Sequence, residues 1–148
     1  MKLLLTSAGV TNKSIENALL DLLRKPFSET KLAFIPTAAN AEAGNKGWLI
    51  DDLRRLKDLG FTDIDIIDIS ALPKEIWLSR LESADILMFG GGNTFYLMHW
   101  LKKSGLADML PEMLKKKVYA GISAGSMVTA KSIEISTSKL DLRMYGDE

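Results

Sequence analysis

One stretch decides the predicted fold, and its sequence is Val118-Tyr119-Ala120-Gly121-Ile122-Ser123-Ala124-Gly125-Ser126. Its first five residues form a short apolar run typical of a buried strand, and a predicted helix follows the serine. The pattern G-x-S-x-G at Gly121, Ser123 and Gly125 is therefore placed as in a nucleophile elbow. In such an elbow a sharp turn exposes the serine Oγ, and small flanking residues let the strand and the helix pack closely. This context favours Ser123 as a nucleophile, whereas the alternative is that Ser123 only caps the helix.

Outward from this stretch, short apolar runs alternate with amphipathic stretches along the whole chain. The predicted strands are Lys2–Ser7, Leu32–Pro36, Asp63–Ile69, Ile86–Phe89 and Val118–Ile122. The predicted helices are Lys13–Lys25, Gly47–Leu59, Lys74–Leu81 and Thr94–Lys117, the last broken at Gly105. Leu3–Leu5, Leu32–Ile35 and Ile86–Phe89 are apolar without alternation, as expected when helices cover both faces of a parallel sheet. The pattern predicts one α/β domain over residues 1–148, a three-layer α/β/α sandwich with a mostly parallel sheet.

Two of the predicted helices show a row of apolar residues. In the second helix a mainly apolar stripe is formed by Trp48, Leu49, Asp52, Leu53, Leu56 and Leu59. In the helix that begins at Thr94, we expect Phe95, Met98 and Leu101 to form the buried row. His99, the single histidine of the chain, lies one position off that row. We therefore expect it to be partly exposed and non-catalytic.

A second motif, Phe89-Gly90-Gly91-Gly92-Asn93-Thr94-Phe95, also follows a predicted strand. Functional groups of α/β sheets gather at the carboxyl ends of the strands, so this loop is expected near Ser123. Three glycines let backbone amides approach a ligand, and together with the Ala124 N–H they offer donors to an oxyanion. Alternatively, Asn93 or Thr94 caps the next helix, or the turn binds a phosphate. The dinucleotide pattern G-x-G-x-x-G and the P-loop ending G-K-[ST] are both absent.

The amino-acid composition argues against several classes of binding partner. Nineteen basic and nineteen acidic residues give a formal net charge of zero, which argues against a nucleic-acid-binding protein. The sequence has no cysteine, which excludes disulfides and thiolate metal sites and is consistent with the cytoplasm. No targeting segment and no apolar run of bilayer length is visible, so no membrane partner is predicted. We also predict no metal site and no cofactor, because Asp63, Asp65 and Asp68 fit the polar face and ends of a strand better.

Together the motifs resemble a known family. The segments Gly90–Phe95 and Gly121–Ser126, with Ile35-Pro36-Thr37-Ala38-Ala39 after the second strand, resemble the dipeptidase E family of serine peptidases, family S51. That family includes aspartyl dipeptidases and the related cyanophycinases, and its fold is similar to class I glutamine amidotransferases and the flavodoxin-like folds. The resemblance implies Ser123 as nucleophile and a substrate of the Asp-X dipeptide type or another small peptide. It also implies an oxyanion and substrate-binding site formed by Gly91, Gly92, Asn93 and Ala124.

The sequence departs from the family in one respect. In the family the general base is a histidine C-terminal to the nucleophile, and no histidine follows Ser123 here. We therefore expect this chain to lack the histidine-bearing segment. Two hypotheses follow, a serine peptidase whose base is supplied from elsewhere and an inactive pseudo-peptidase that serves as a small-molecule binding or assembly domain. An α/β-hydrolase esterase shares G-x-S-x-G but also needs a later histidine, and the triglycine motif suits it less well.

The C-terminal region is polar with scattered apolar residues. Glu134 and Asp141 are expected to be exposed charges there. The apolar positions are Ile133, Ile135, Leu140, Leu142 and Met144. If the last elements of the family are absent, these side chains and a sheet edge lose their cover, and an uncovered edge pairs readily with another chain. We therefore predict a homodimer or a larger assembly.

Overall fold

The computed structural model describes residues 1–134, so Asp141, Ile135, Leu140, Leu142 and Met144 lie outside the described residues. The strands are β1 (Lys2–Thr6), β2 (Lys31–Ile35), β3 (Asp63–Ile66), β4 (Ile86–Phe89) and β5 (Val118–Ile122). The helices are α1 (Lys13–Leu23), α2 (Thr37–Asn40), α3 (Gly47–Asp58), α4 (Lys74–Ser83), α5 (Thr94–Lys103), α6 (Leu106–Met113) and α7 (Ala124–Met127), and a 3-10 turn covers Phe27–Glu29. Within residues 1–134, no helix has the length and apolar character needed to cross a bilayer.

The five strands form one sheet in the order β1-β5-β4-β2-β3, and every pairing is parallel. Two separate hydrophobic clusters lie against the sheet. One contains residues of α4, α5 and α6, and the other contains residues of α1 and α3. Helices therefore cover the sheet on both sides, and the predicted three-layer α/β/α sandwich with a parallel sheet is confirmed.

Strand β2 shows why the apolar runs do not alternate. Leu32 and Phe34 belong to the cluster with α1 and α3, whereas Ala33 and Ile35 belong to the cluster on the other face. All four are fully buried. Because successive side chains of a strand point to opposite faces, an unbroken apolar run is what a strand covered on both faces requires.

Strand β1 departs from this expectation. Leu4 packs in the cluster with α1 and α3, but Leu3 and Leu5 on the opposite face are 40% and 46% exposed. The strand pairs with β5 on one side and stands at the edge of the described sheet. The prediction that both faces of Leu3–Leu5 are covered is therefore wrong for one face within residues 1–134.

The segment after β3 ends the strand earlier than predicted. The Ile67 N–H still donates to the Phe34 carbonyl, but the strand ends at Ile66 rather than Ile69. The chain turns at Asp68, and the turn is stabilised by hydrogen bonds that the Asp68 carboxylate accepts from nearby donors. These donors are the hydroxyl of Thr37 at 2.9 Å, the amide of Asn40 at 2.6 Å, and the backbone N–H and hydroxyl of Ser70 at 2.8 and 2.6 Å. Asp68 is thus a structural carboxylate that joins the segment after β3 to α2.

The long helical stretch after β4 divides as predicted at Gly105, which adopts a φ of 82°. The second part, α6, ends at Met113 rather than Lys117. On α5 the fully buried apolar residues are Leu97 and Leu101. Phe95 and Met98 are only partly buried, so the expected row of Phe95, Met98 and Leu101 was wrong in phase. His99 is partly exposed and contacts the Trp100 ring edge-on at 5.7 Å between centroids.

Candidate active site

Ser123 lies in the turn between β5 and α7, in an unusual backbone conformation. Its φ is 51° and its ψ is −107°, values that a non-glycine residue adopts only under strain. The residue is exposed, and its hydroxyl makes no capping hydrogen bond to α7. The backbone is fixed, because the Ser123 N–H donates to the Thr6 carbonyl at 3.0 Å and the Ser123 carbonyl accepts from Ser126 and Met127. Ser123 is therefore not a side-chain cap of α7 in this structure.

The two glycines that flank Ser123 allow α7 to lie directly against the sheet. A Cβ at Gly125 would lie 2.0 Å from the Phe89 carbonyl oxygen, and a Cβ at Gly121 would lie 2.7 Å from the Gly125 carbonyl. Both distances are far below any real contact. The Tyr119 hydroxyl, buried beneath the turn, donates to the Gly125 carbonyl at 2.5 Å. Burial raises the pKa of this tyrosine well above its usual range, so it stays a hydrogen-bond donor.

A second support comes from the carboxyl end of β1. The Thr6 N–H donates to Ser126 Oγ at 3.0 Å, and Ser126 Oγ donates to the Thr6 carbonyl at 2.8 Å. The Thr6 hydroxyl donates to the Gly121 carbonyl at 2.8 Å and accepts from the Gly9 N–H at 2.9 Å. These bonds join the first strand to both sides of the turn that carries Ser123. These bonds were not predicted from the sequence, in which the available signal was a polar Thr6 directly after an apolar run.

The glycine loop after β4 lies beside this turn. A Cβ at Gly91 would lie 3.5 Å from Ser123 Cβ and 3.9 Å from the Trp48 ring, which is ordinary contact. Gly92 has a φ of 131°, and a Cβ there would lie 2.3 Å from the Ala38 backbone. Gly92 is therefore required by the fold, whereas a Cβ at Gly91 would make no clash. Within residues 1–134, the Gly91 and Ala124 N–H groups have no hydrogen-bond acceptor.

The Asn93 side chain does not lie where a substrate-binding residue is expected. It is fully buried, and its Oδ1 accepts from the Tyr96 N–H at 2.8 Å. This is the N-cap of α5, the alternative that the sequence had left open. The Asn93 N–H also donates to the Ala38 carbonyl at 2.9 Å, which fixes the glycine loop against the end of β2. Asn93 does not line the cavity in front of Ser123.

An open cavity of about 410 Å³ lies in front of Ser123. Its lining comprises Ser7, Ala8, Trp48, Asp51, Asp52, Arg55, Gly91, Gly92, Ile122 and Ser123. Each contribution from the sheet comes from the carboxyl end of a strand, as expected for a parallel α/β fold. The remaining wall is helix α3, which sequence analysis had not assigned to the site. The structure thus brings Ser123, Gly91 and Gly92 together and leaves Asn93 outside.

Among residues 1–134, the charged side chains that line the cavity all lie on α3. Burial raises the pKa of the Asp52 carboxyl above its usual value, and the nearby Asp51 raises it further, although the Arg55 guanidinium acts in the opposite direction. Arg55 Nη1 lies 3.4 Å from Asp52 Oδ1 and 3.2 Å from the Ala8 carbonyl oxygen. No histidine is among the lining residues, and within residues 1–134 no group of three metal-ligating side chains comes together.

Comparison with known proteins agrees with this fold and identifies the family. The sequence pattern of Peptidase family S51 matches residues 3–143. The chain belongs to peptidase family S51, and the resemblance to dipeptidase E seen in the motifs is confirmed.

Individual relatives support the same assignment. A Peptidase E of Shewanella denitrificans is 32% identical over 134 residues, which cover 88% of this chain and 54% of that protein. An uncharacterized peptidase of Pasteurella multocida is 31% identical over 104 residues, covering 70% and 49% respectively. The chain therefore spans about half the length of these curated relatives. A crystal structure assigned to Peptidase E from Listeria monocytogenes EGD-e has the same fold, with a TM-score of 0.77, 24% identity, and coverage of 94% of this chain and 67% of that one.

Proposed function

We propose that this chain carries the nucleophile and the oxyanion donors of a serine peptidase of the dipeptidase E type. The observation that supports the proposal most strongly is the state of Ser123. Ser123 is exposed, its hydroxyl is not used as a helix cap, and it stands on a strained turn in the lining of an open cavity. Strain of about 1–3 kcal/mol at one residue persists only where the surrounding structure imposes it, and such residues cluster at active sites.

In the proposed reaction, Ser123 Oγ attacks the carbonyl carbon of a peptide bond and loses its proton to a base. The carbonyl oxygen becomes an oxyanion that accepts hydrogen bonds from the Ala124 and Gly91 N–H groups, with Gly92 beside them. Collapse of this intermediate releases the amine half and leaves an acyl group on Ser123, which water then hydrolyses. The cavity volume of about 410 Å³ lies in the range of sites for small molecules, which fits a dipeptide.

The general base in this proposed reaction comes from outside this chain. His99 is its only histidine, and it lies on α5 and not in the lining of the cavity. By resemblance to the family, we propose that a histidine on a partner chain or on a separate C-terminal fragment accepts the proton. The substrate proposed by the same resemblance is an Asp-X dipeptide or another small peptide, and the proposed location is the cytoplasm.

Reaction with a fluorophosphonate, in the presence of imidazole as a substitute for the histidine base, tests the nucleophile. Intact-mass measurement is expected to show one adduct on the wild type and none on Ser123→Ala. The matched control is Ser7→Ala, because Ser7 is a second exposed serine that lines the same cavity. Ser7→Ala is expected to keep the adduct. An unreactive wild type, or an adduct that Ser7→Ala removes, would contradict the proposal.

A second candidate function is an inactive pseudo-peptidase that binds small molecules, favoured by the placement of His99 away from the cavity. This function predicts peptide binding in the cavity without an adduct on Ser123 and without release of free amino acids from Asp-Leu. The peptidase proposal predicts an adduct in the same protein. The two are therefore separated by the same labelled sample.

We also propose that the chain self-associates through β1. Leu3 and Leu5 are exposed on one face, and the outer edge of this strand has no partner strand within residues 1–134. Two copies related by a twofold axis would pair their β1 edges antiparallel and place the exposed leucines of the two copies side by side. Light scattering is expected to give the mass of a dimer or larger assembly, and Leu5→Lys is expected to give a monomer. A wild type that stays monomeric at high concentration would refute this.

A further inference from the structure

One face of helix α3 lines the cavity, and the reaction proposed above uses none of the side chains on that face. Trp48, Asp52 and Arg55 are spaced i, i+4 and i+7, which places them on one face of the helix. All three line the cavity in front of Ser123. The apolar residues of the stripe predicted from the sequence separate from them, since Leu49, Leu53, Leu56 and Leu59 pack into the core. The helix thus has a core face and a cavity face.

Asp52 is the least exposed charged group of this cavity face. Its side chain is 13% exposed, whereas that of Asp51 is 62% exposed and pairs with Arg54 at 3.3 Å. One Asp52 oxygen has a contact of 3.4 Å to Arg55, at the long limit of a hydrogen bond. The same Arg55 nitrogen also donates to the Ala8 carbonyl. The second Asp52 oxygen has no donor within residues 1–134, so a largely buried carboxylate lines the cavity with unused acceptor capacity.

The position of this carboxylate matches one group of a dipeptide. In a dipeptide the free α-ammonium is only two covalent bonds from the carbonyl carbon that Ser123 would attack. A group that recognises the ammonium must therefore line the same cavity as Ser123. Asp52 meets this requirement, and a carboxylate is the acceptor that forms the strongest hydrogen bonds with an ammonium.

We propose that Asp52 binds the free α-ammonium of a short peptide whose first carbonyl lies at Ser123, so that α3 restricts the site to peptides with a free N-terminus. This inference rests on the proposed function and adds the residue that selects the substrate's amino end. Arg55 is a positioning residue, since it joins Asp52 to the Ala8 carbonyl at the end of β1. Trp48, 39% exposed, forms the rim beside the ammonium site and close to Gly91.

Calorimetric binding of two peptides tests this assignment. The ligands are Asp-Leu and N-acetyl-Asp-Leu, which differ only in the charged amino group, measured at pH 7 in a Ser123→Ala background so that neither is consumed. Asp52→Asn is expected to raise the Kd of Asp-Leu at least tenfold, which corresponds to about 1.4 kcal/mol of binding free energy. The Kd of N-acetyl-Asp-Leu is expected to change less than twofold. Asp58→Asn, which removes the same charge from the exposed end of α3, is the matched control and is expected to change neither.

The outcomes separate this inference from the proposed function. Equal weakening of both peptides by Asp52→Asn, no weakening, or no binding of Asp-Leu would overturn the role of Asp52. If the fluorophosphonate still labels Ser123 in that case, the nucleophile stands and only the ammonium site fails. If binding of Asp-Leu depends on Asp52 but Ser123 never forms an adduct, the ammonium site is supported and the peptidase chemistry is refuted.

Discussion

Replacing Gly125 by alanine has two effects on the free energy of unfolding, and they have opposite signs. Gly125 lies in α7, where alanine has the higher helix propensity and would stabilise the protein by about 0.5–1 kcal/mol if nothing else changed. The added Cβ, however, would lie 2.0 Å from the Phe89 carbonyl oxygen and 2.7 Å from its carbonyl carbon. Backbone atoms of a central strand cannot move aside easily, so α7 must shift. We expect Gly125→Ala to destabilise the fold by about 3 kcal/mol, near the upper end for overpacking.

The assay is thermal unfolding followed by circular dichroism, checked by urea unfolding. A loss of about 3 kcal/mol corresponds to a fall of roughly 6–12 °C in Tm for a domain of this size. Gly91→Ala is the matched control, because its Cβ would make only ordinary contacts at 3.5 Å or more, and it is expected to stay within about 0.5 kcal/mol of wild type. A Gly125→Ala protein as stable as wild type, or more stable, would refute the packing argument for the elbow.

Three further predictions concern the turn and its surroundings. Ser123→Gly is expected to be more stable than Ser123→Ala by roughly 1 kcal/mol in urea, because glycine tolerates a φ of 51°; equal stabilities would mean that the turn is not strained. Tyr119→Phe leaves the buried Gly125 carbonyl without its donor and is expected to cost about 1–3 kcal/mol in the same assay, with an unchanged value as the contrary result. Burial tends to raise the pKa of Asp68, but hydrogen bonds from Ser70 and its neighbours outweigh it and lower that pKa below 3.8. The stability from Asp68 is therefore present above pH 3.8 and lost as the pH falls through the lower folded value, so Asp68→Asn should reduce the acid dependence of Tm, and an unchanged dependence would contradict this.

The sheet could be predicted from the sequence because its central strands are covered on both faces. Ile86–Phe89 and Val118–Ile122 were predicted with the bounds that the structure shows, since an unbroken apolar run has a clear start and end. The exposed face of β1 could not be predicted, because the order of strands in a sheet depends on tertiary packing. The local sequence Leu3–Leu5 is as apolar as a central strand, and only its position at the edge leaves two leucines exposed.

The site shows the same division between local and tertiary information. The turn at Ser123 can be recognised from the local sequence, because glycines lie two residues before and two residues after it. Any larger residue at either position would bring a Cβ into a clash. The wall formed by α3 cannot be recognised in this way, because helical periodicity gives the spacing of a face but not its neighbour. Trp48 and Asp52 were therefore assigned to the apolar stripe of the core. The available signal was the carboxylate of Asp52 within an otherwise apolar row, which a buried stripe does not accommodate without a partner.

A crystal structure of the protein after reaction with a fluorophosphonate would show directly whether Ser123 is the nucleophile and whether the proposed oxyanion donors surround it. The adduct places a phosphoryl oxygen where the oxyanion of peptide hydrolysis would form. We expect phosphorus bonded to Ser123 Oγ, with the phosphoryl oxygen about 2.7–3.1 Å from the Ala124 and Gly91 nitrogens. An adduct on Ser7, or a phosphoryl oxygen on Ser123 that points away from both nitrogens, would contradict this expectation.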